Sequence, residues 1–119
     1  ALHHAALQRA ITLNAHAPLL ALQAFAPLLC HPEGAIAAAL SAKVGSIGDN
    51  RLGGWYSYRM SKAALNMGLR CAAIELGRRR HGPIVVAIHP GTTASPLSAP
   101  FASAARARTP DESAAAILN

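Results

Sequence analysis

Apolar residues recur at the spacing of one helical face over the first quarter of the chain. The pattern predicts a helix over residues 5–29, which the tetrapeptide His31-Pro32-Glu33-Gly34 ends. The apolar positions of this helix are Leu7, Ile11, Leu19, Leu22, Phe25, Ala26 and Leu29. A second helix is predicted over residues 56–80. Three arginines in its last turn oppose the negative end of the helix dipole, and Gly82-Pro83 follows it.

Two short uncharged runs, residues 35–40 and 84–88, are apolar at every position. Such runs are typical of parallel strands that are buried on both faces. A glycine-rich loop over residues 41–54 follows the first run, and Pro90-Gly91 ends the second. The segment Thr109-Pro110-Asp111-Glu112 predicts a helix start with a capping box.

The order of these elements is helix, strand, helix, strand, helix, which is the second half of a doubly wound α/β sheet. Two parallel strands cannot cover both of their own faces, so the pattern requires strands that these residues do not include. The predicted fold class is therefore α/β, a partial Rossmann-type parallel sheet without its N-terminal nucleotide-binding strands. The chain begins at Ala1 and ends at Asn119 within an apolar, helix-like run, and we expect both ends to be cut from a longer chain.

The composition indicates a folded protein, because 52% of the residues are hydrophobic and only 13% are charged. The net charge of +6 raises the question of nucleic-acid binding. However, three of the eleven cations are the run Arg78-Arg79-Arg80 and the others are scattered, so we expect no nucleic-acid partner.

The cysteines and the apolar N-terminal segment bear on where the protein resides. Cys30 and Cys71 stand in apolar helical surroundings without metal-like spacing to histidines, which predicts buried thiols in a reducing cytoplasm and no metal site. The polar residues and prolines within residues 11–30 would be costly in lipid, so no membrane span is expected.

One pair of residues carries recognisable chemistry. Tyr58 and Lys62 are four positions apart near a predicted helix start, so their side chains share one face. An ammonium beside a phenol favours the phenolate and lowers a pKa that is ordinarily about 10, which would let Tyr58 exchange a proton with an alcohol or a carbonyl. Farther upstream, Pro18 has no N–H, so the main-chain carbonyl of Asn14 loses its usual helical donor.

Three segments resemble one enzyme family, the short-chain dehydrogenases/reductases. Residues 41–66, which contain Tyr58-Arg59-Met60-Ser61-Lys62, resemble the family's active-site segment and are similar to carbonyl reductases of the sniffer and C-factor type. Residues 86–92 resemble its sixth strand and the Pro-Gly turn beside the nicotinamide, and residues 13–20 resemble the helix before its catalytic strand. The resemblance implies that residues 1–119 are the catalytic half of a single such domain, truncated at both ends.

The resemblance also implies roles for the polar residues. Tyr58 would be the general acid/base, and Lys62 would lower its pKa and bind the nicotinamide ribose. The main-chain carbonyl of Asn14 would hold a water in a proton relay to the lysine. The reaction implied is hydride transfer between a nicotinamide cofactor and a small carbonyl compound or secondary alcohol.

The same resemblance implies a cofactor site and a quaternary structure. The turn Pro90-Gly91-Thr92, with the Ser95 hydroxyl, would meet the nicotinamide carboxamide. The cofactor would be NADP or NAD, with NADPH favoured, and the family's glycine-rich turn would lie upstream of Ala1. The two long helices resemble those that pair in the family's dimers, which implies a homo-oligomer.

One position departs from the family pattern. The family's substrate-orienting serine is the second of two adjacent serines, and Ala42 stands there, after Ser41. The hydroxyl could then come from Ser41, which is the preferred candidate, or from Ser46. Successive strand residues face opposite ways, so Ser41 is not an automatic substitute. The alternative hypothesis is a truncated or degenerate, catalytically incompetent fragment that acts as an interaction module.

Overall fold

The structure, a computed structural model, describes residues 2–99 and 106–119. Within these ranges two parallel strands lie against helices in the predicted order, as expected for part of a doubly wound α/β fold. In chain order the elements are α1 (His4–Ile11), a π-helical turn (Thr12–His16), α2 (Ala17–Leu29), β1 (Ile36–Leu40), a 3₁₀ turn (Lys43–Gly45), α3 (Tyr56–Gly77), β2 (Ile84–Ile88) and α4 (Pro110–Leu118).

The two strands pair in parallel, with Ile36 opposite Ile84 and Leu40 opposite Ile88. The ladder continues beyond the last pair, because the Ser41 amide donates to the Ile88 carbonyl at 2.7 Å. The chain therefore leaves both strands at the same edge of the sheet. This edge brings Ser41 and Ala42 next to the turn that follows β2, although almost fifty residues separate them along the chain.

The core lies on one face of the sheet, between the strands and the helices. Ala15, Leu65 and Leu69 are buried there, with Ala39 and Val85 packed against them from the strands. The approach of α2 to α3 is close at Gly68, where a Cβ would overlap the end of the Leu19 side chain and force that side chain to shift. This contact holds the N-terminal helices against the helix that carries Tyr58.

The prediction that both strands are buried on two faces is wrong for the described residues. Ile36, Leu40 and Ile84 remain 67%, 59% and 62% exposed. The helices α2 and α3 pack on one side of the sheet, and no described element covers the other side. The apolar runs identified the strands correctly, but two strands leave one of their faces to solvent.

The prediction of two buried cysteines is also wrong. Cys30 is partly exposed and Cys71 is exposed. Cys71 lies two positions after the buried Leu69, and two positions turn a helix by about 200°, so its thiol faces away from the core.

The helix boundaries differ from the prediction at two places. The first helix is interrupted by the π-helical turn, and α3 ends at Gly77 rather than at residue 80. Two successive turns follow α3. The Arg79 amide donates to the Leu76 carbonyl at 3.0 Å, and the Gly82 amide donates to the Arg79 carbonyl at 3.0 Å. The arginines thus lie just beyond the helix.

The predicted capping box of α4 is confirmed. The Thr109 amide donates to the Glu112 carboxylate at 2.8 Å, and the Glu112 amide donates to the Thr109 hydroxyl at 3.2 Å. None of the helices in residues 2–99 and 106–119 is long and apolar enough to cross a bilayer.

Candidate active site

Tyr58 and Lys62 lie in the first two turns of α3, where the helix meets the carboxyl edge of the sheet. The Lys62 Nζ lies 6.0 Å from the centroid of the Tyr58 ring. The same ammonium donates to the main-chain carbonyl of Leu40, the last residue of β1, at 3.0 Å. An ammonium has three donors, so two remain for other partners. The predicted pair is therefore brought together and tied to the end of β1.

Burial perturbs both groups in the direction of the neutral form. It raises the pKa of the Tyr58 phenol above its ordinary value of 10.0 and lowers the pKa of the Lys62 ammonium below 10.5. The predicted lowering of the Tyr58 pKa is therefore wrong for this structure. The phenolate would lose hydration on burial, and the ammonium beside it donates to the Leu40 carbonyl, so burial outweighs the attraction.

A hydrogen-bonded chain connects Asn14 to the backbone of the helix that carries Tyr58. The Asn14 amide nitrogen donates to the Ser61 hydroxyl at 3.0 Å, and that hydroxyl donates to the Tyr58 carbonyl at 2.8 Å. Ser61 is fully buried, at 0% exposure. The bond joins residues that are 47 positions apart in sequence and links Asn14, through Ser61, to the main chain of Tyr58.

The main chain around Asn14 forms a π-helical turn. The Ala17 amide donates to the Thr12 carbonyl rather than to that of Leu13, and Pro18 has no amide proton for the Asn14 carbonyl. Two consecutive carbonyls thereby lose their α-helical donors. The sequence predicted the loss at Asn14 from Pro18, but not the additional residue in the turn.

Ser41 lies at the end of β1 and is buried. Its hydroxyl donates to the side-chain carbonyl of Asn66 on α3 at 2.6 Å. A serine hydroxyl carries a single proton, so this bond leaves Ser41 able to accept but not to donate. A group that polarises a carbonyl oxygen must donate a hydrogen bond to it. In this structure Ser41, the preferred candidate, donates its proton to Asn66 instead.

Ser46, the other candidate hydroxyl, is exposed in the loop after the 3₁₀ turn and accepts from the Asp49 amide at 3.3 Å. It lines a small neighbouring cavity with Ser41 and Asn66, which does not include Tyr58. The loop is close to α3 because of Gly45. A Cβ at Gly45 would lie only 2.8 Å from the Lys62 main chain.

Tyr58 lines a cavity of about 820 Å³ at the carboxyl edge of the sheet. Ser41 and Ala42 form one wall of this cavity, and the turn after β2 forms another. Within residues 2–99 and 106–119 the Tyr58 hydroxyl makes no hydrogen bond, so it is available to a molecule in the cavity. The predicted cofactor-contacting residues all line it: Pro90, Gly91, Thr92 and Ser95.

Two of the predicted site residues, Lys62 and Asn14, are not among the residues that line this cavity. The Ser95 hydroxyl lies 3.4 Å from the Ser98 hydroxyl and accepts from the Ser98 amide at 3.3 Å. A second cavity of about 970 Å³ lies between the end of β2 and α4, and residues 89–92 line both cavities. Neither Tyr58 nor Ser41 lines the larger one. Of these two cavities, only the smaller one is lined by the predicted catalytic residues Tyr58 and Ser41.

Sequence reasoning did not identify Arg59, Ser61 or Asn66. Ser61 and Asn66 stand three and eight positions after Tyr58, a spacing that places them near its helical face, but serine and asparagine are unremarkable in a helix. Their partners, Asn14 and Ser41, are remote in sequence. Only the packing of three elements reveals that they are hydrogen-bonded.

Comparison with known proteins agrees with this geometry. A family model described as enoyl-(acyl carrier protein) reductase matches residues 1–118. The chain is a short-chain dehydrogenase/reductase. This confirms the resemblance found in the sequence and the expected Rossmann-type fold class.

Two curated relatives are each 39% identical to this chain. One is the 1-hydroxy-2-glutathionyl-2-methyl-3-butene dehydrogenase of Rhodococcus sp. (strain AD45), over 113 residues that cover 94% of this chain and 48% of the relative. The other is the C-signal protein of Myxococcus xanthus, over 101 residues that cover 83% and 58%. The chain thus spans about half the length of the curated relatives it matches.

Two solved structures share the fold. Carbonyl reductase Sniffer of D. melanogaster superposes with a TM-score of 0.81 and 27% identity, covering 95% of this chain and 48% of Sniffer. The NADPH-bound carbonyl reductase from chicken fatty liver superposes with a TM-score of 0.82 and 36% identity, covering 98% and 49%.

Proposed function

We propose that this chain carries the catalytic residues of a nicotinamide-dependent reductase that converts a carbonyl compound to an alcohol. The observation that carries the proposal is the Tyr58 hydroxyl. It has no hydrogen-bond partner among the described residues and shares one cavity with the Pro90-Gly91-Thr92 turn, while Lys62 lies behind its ring. A proton donor and a cofactor-contacting turn then face the same bound molecule.

The residues present fit a nicotinamide riboside. The Lys62 ammonium has two donors beyond its bond to Leu40, which suits ribose hydroxyls, and the Thr92 hydroxyl has no partner among the described residues. The cavity of about 820 Å³ is within the range of small-molecule sites. The cofactor, when bound, supplies the hydride. NADP is proposed over NAD, and the chicken relative that was solved with NADPH bound supports this preference.

Tyr58 is proposed as the acid that protonates the nascent alkoxide. Because burial raises the pKa of its phenol, the hydroxyl keeps its proton at neutral pH. A protonated donor suits the reductive direction, in which the carbonyl oxygen gains a proton as the hydride adds to carbon. The main-chain carbonyl of Asn14, left without a helical donor, is proposed to hold a water that replenishes the proton through Lys62.

The direct test is oxidation of NADPH and NADH by a panel of aldehydes and ketones. The 119-residue chain is compared with a version that is extended in frame into the flanking coding sequence, hereafter the extended protein. Turnover by the extended protein supports the reductase. A folded extended protein that oxidises neither cofactor contradicts it.

A second candidate function is a catalytically incompetent interaction module. The observation that favours it is the Ala42 position, together with the engagement of the Ser41 hydroxyl by Asn66. Without a donor beside Tyr58, the substrate oxygen lacks one of its two expected hydrogen bonds. An interaction module would not oxidise the cofactor, so cofactor oxidation by the extended protein distinguishes the two functions.

The bond between Asn14 and Ser61 yields a testable prediction. Ser61→Ala leaves the Asn14 amide without its buried acceptor, so we expect a loss of about 1–3 kcal/mol in the free energy of unfolding. In a double-mutant cycle with Asn14→Ala, measured by urea unfolding of the extended protein, the two changes should be non-additive by about 1 kcal/mol. Strictly additive losses would contradict a direct bond.

A homo-oligomer through the long helices is also proposed. Met60, Met67 and Ile74 are exposed on α3 at intervals of seven residues, which places them on one face. Met67→Glu would place a charge in the centre of this face and should shift the extended protein toward the monomer in light scattering. Leu52→Glu is the matched control, since Leu52 is an exposed apolar residue of the loop. An unchanged mass for Met67→Glu would contradict this interface.

A further inference from the structure

Arg59 connects two loops that border the Tyr58 cavity, the 3₁₀ turn at Lys43–Gly45 and the loop that contains Gly53 and Gly54. Its Nε donates to the carbonyls of Gly53 and Gly54 at 3.3 and 3.1 Å, and one terminal nitrogen donates to the Val44 carbonyl at 3.4 Å. Of these, Val44 and Gly54 line the cavity. No carboxylate among the described residues forms an ion pair with Arg59. Its donors therefore serve the backbone of the two loops.

Trp55 lies between these loops and α3 in an unusual conformation. Its φ is 47°, in the left-handed region that bulky side chains rarely adopt, and Gly53 and Gly54 before it also have positive φ. The Arg59 guanidinium carbon lies 5.5 Å from the centroid of the indole ring, within the range of a cation–π contact. A strained backbone persists where its surroundings hold it in place, and Arg59 contacts both the ring and the preceding carbonyls.

The position of Trp55 matters for what the cavity can bind. Its side chain is 50% exposed and lines the same cavity as Tyr58. Tyr56, Val44 and Leu97 add further apolar surface to this lining. A half-exposed indole beside a second aromatic ring is a surface on which a flat ring can pack offset or edge to face.

We propose that Arg59 is a positioning residue that holds Trp55 at the cavity, and that Trp55 selects carbonyl substrates with a flat aromatic substituent. The selectivity part rests on the proposed function, because it requires that the substrate carbonyl is bound beside Tyr58. The positioning part rests only on the contacts of Arg59.

Fluorescence tests the positioning part without turnover, because Trp55 is the only tryptophan of the chain. In Arg59→Gln the Trp55 ring loses the cation beside it, and the carbonyls of Val44 and Gly54 lose their shared donor. We therefore expect quenching of Trp55 fluorescence by acrylamide to rise about twofold. Arg51→Gln is the matched control, since it removes the same charge from an exposed arginine whose side chain forms no hydrogen bond, ion pair or ring contact with the described residues. Equal quenching in wild type and Arg59→Gln, or an equal rise in Arg51→Gln, would overturn the positioning role.

Kinetics of the extended protein test the selectivity part. The ratio of kcat/KM for benzaldehyde to that for acetaldehyde should fall about tenfold in Arg59→Gln and in Trp55→Ala, mainly through KM for benzaldehyde. The matched control Arg51→Gln should leave this ratio and the kcat for acetaldehyde within about twofold of wild type, because Arg51 does not line the cavity. An unaltered ratio in both variants would overturn the selectivity while leaving the reductase function standing.

Two further measurements keep the outcomes separate. If Arg59→Gln does not fold, Arg59→Lys retains the charge but not the planar fork, and it should show a smaller rise in quenching that still exceeds that of Arg51→Gln. If the extended protein turns over no aldehyde, benzaldehyde is titrated against Trp55 emission in the 119-residue chain. Quenching that is weakened by Arg59→Gln supports the aromatic surface although the reductase fails, and no quenching at all overturns it.

Discussion

Tyr58→Phe is expected to lower kcat for carbonyl reduction by the extended protein by about a hundred- to ten-thousandfold. A positioned general acid contributes roughly 10²–10⁴ in rate. The variant removes a hydroxyl that lines the cavity, has Lys62 beside its ring and forms no hydrogen bond with the described residues. Phenylalanine keeps the ring volume, so the packing of α3 should be preserved. Initial rates of NADPH oxidation at saturating aldehyde measure the effect.

The matched control is Tyr56→Phe, which removes the same atom from the more exposed tyrosine two positions earlier. It should lower kcat less than about tenfold, because Tyr56 lines the cavity but no lysine among the described residues lies over its ring. NADPH binding to Tyr58→Phe, followed by cofactor fluorescence, should stay within a few-fold of wild type. Similar losses of kcat in the two variants would contradict the assignment of Tyr58 as the acid.

The pH dependence follows from the direction of the Tyr58 pKa. Because burial raises this pKa above 10.0, the phenol stays protonated through neutral and mildly basic pH. The reductive kcat should therefore be flat from about pH 7 to pH 9 and fall only as the pH rises through the tyrosine pKa. If the bound cofactor and Lys62 instead depress the pKa, the fall begins below about pH 9, and the profile distinguishes the two cases.

Ala42→Ser is expected to raise kcat/KM by about ten- to a hundredfold. Residue 42 is extended, with φ of −150° and ψ of 147°, so its side chain faces the opposite way from Ser41, which turns toward Asn66. Ala42 lines the Tyr58 cavity. A hydroxyl at this position would supply a second donor to the substrate oxygen, and a single such donor can contribute roughly 10²–10³ in kcat.

Ala42→Cys is the control for size, since a thiol is similar in shape but a weak donor, and it should leave kcat/KM within about threefold. Ser41→Ala tests the alternative directly. If Ser41 is structural, this change should cost about 1–3 kcal/mol in the free energy of unfolding and lower kcat only modestly. If Ala42→Ser does not raise kcat/KM, and if Ser41→Ala is folded but inactive, then Ser41 rather than residue 42 orients the substrate.

Much of the fold was predictable because its signals are local. The uncharged run at residues 84–88, the capping residues Thr109 and Glu112, and the helical spacing of Tyr58 and Lys62 are each contained within a few residues. Such patterns record which side chains a helix or strand buries and which backbone groups its ends must satisfy. The absent amide of Pro18 likewise predicted a helical carbonyl without a donor at Asn14.

The site was less predictable, because its hydrogen bonds join residues that are remote in sequence. Ser41 meets Asn66 across 25 positions and Asn14 meets Ser61 across 47, and no local pattern specifies either partner. The serine at position 41 could be assigned to the substrate from sequence alone, whereas the structure directs its only proton to α3. The direction of the Tyr58 pKa was missed for the same reason, since it depends on how deeply the phenol is buried.

The sequence by itself determined the family, the order of helices and strands, and the Tyr58–Lys62 pair, since each is written in local spacing and residue type. The tertiary structure alone decided that one face of the sheet is covered, that the Ser41 hydroxyl is engaged, and that the Arg59 guanidinium lies beside the Trp55 ring. The physical reason is that burial and hydrogen-bond partnership are properties of packed surfaces. A side chain's chemistry is known from its identity, but its protonation and its donors depend on which neighbours the fold brings within about 3 Å.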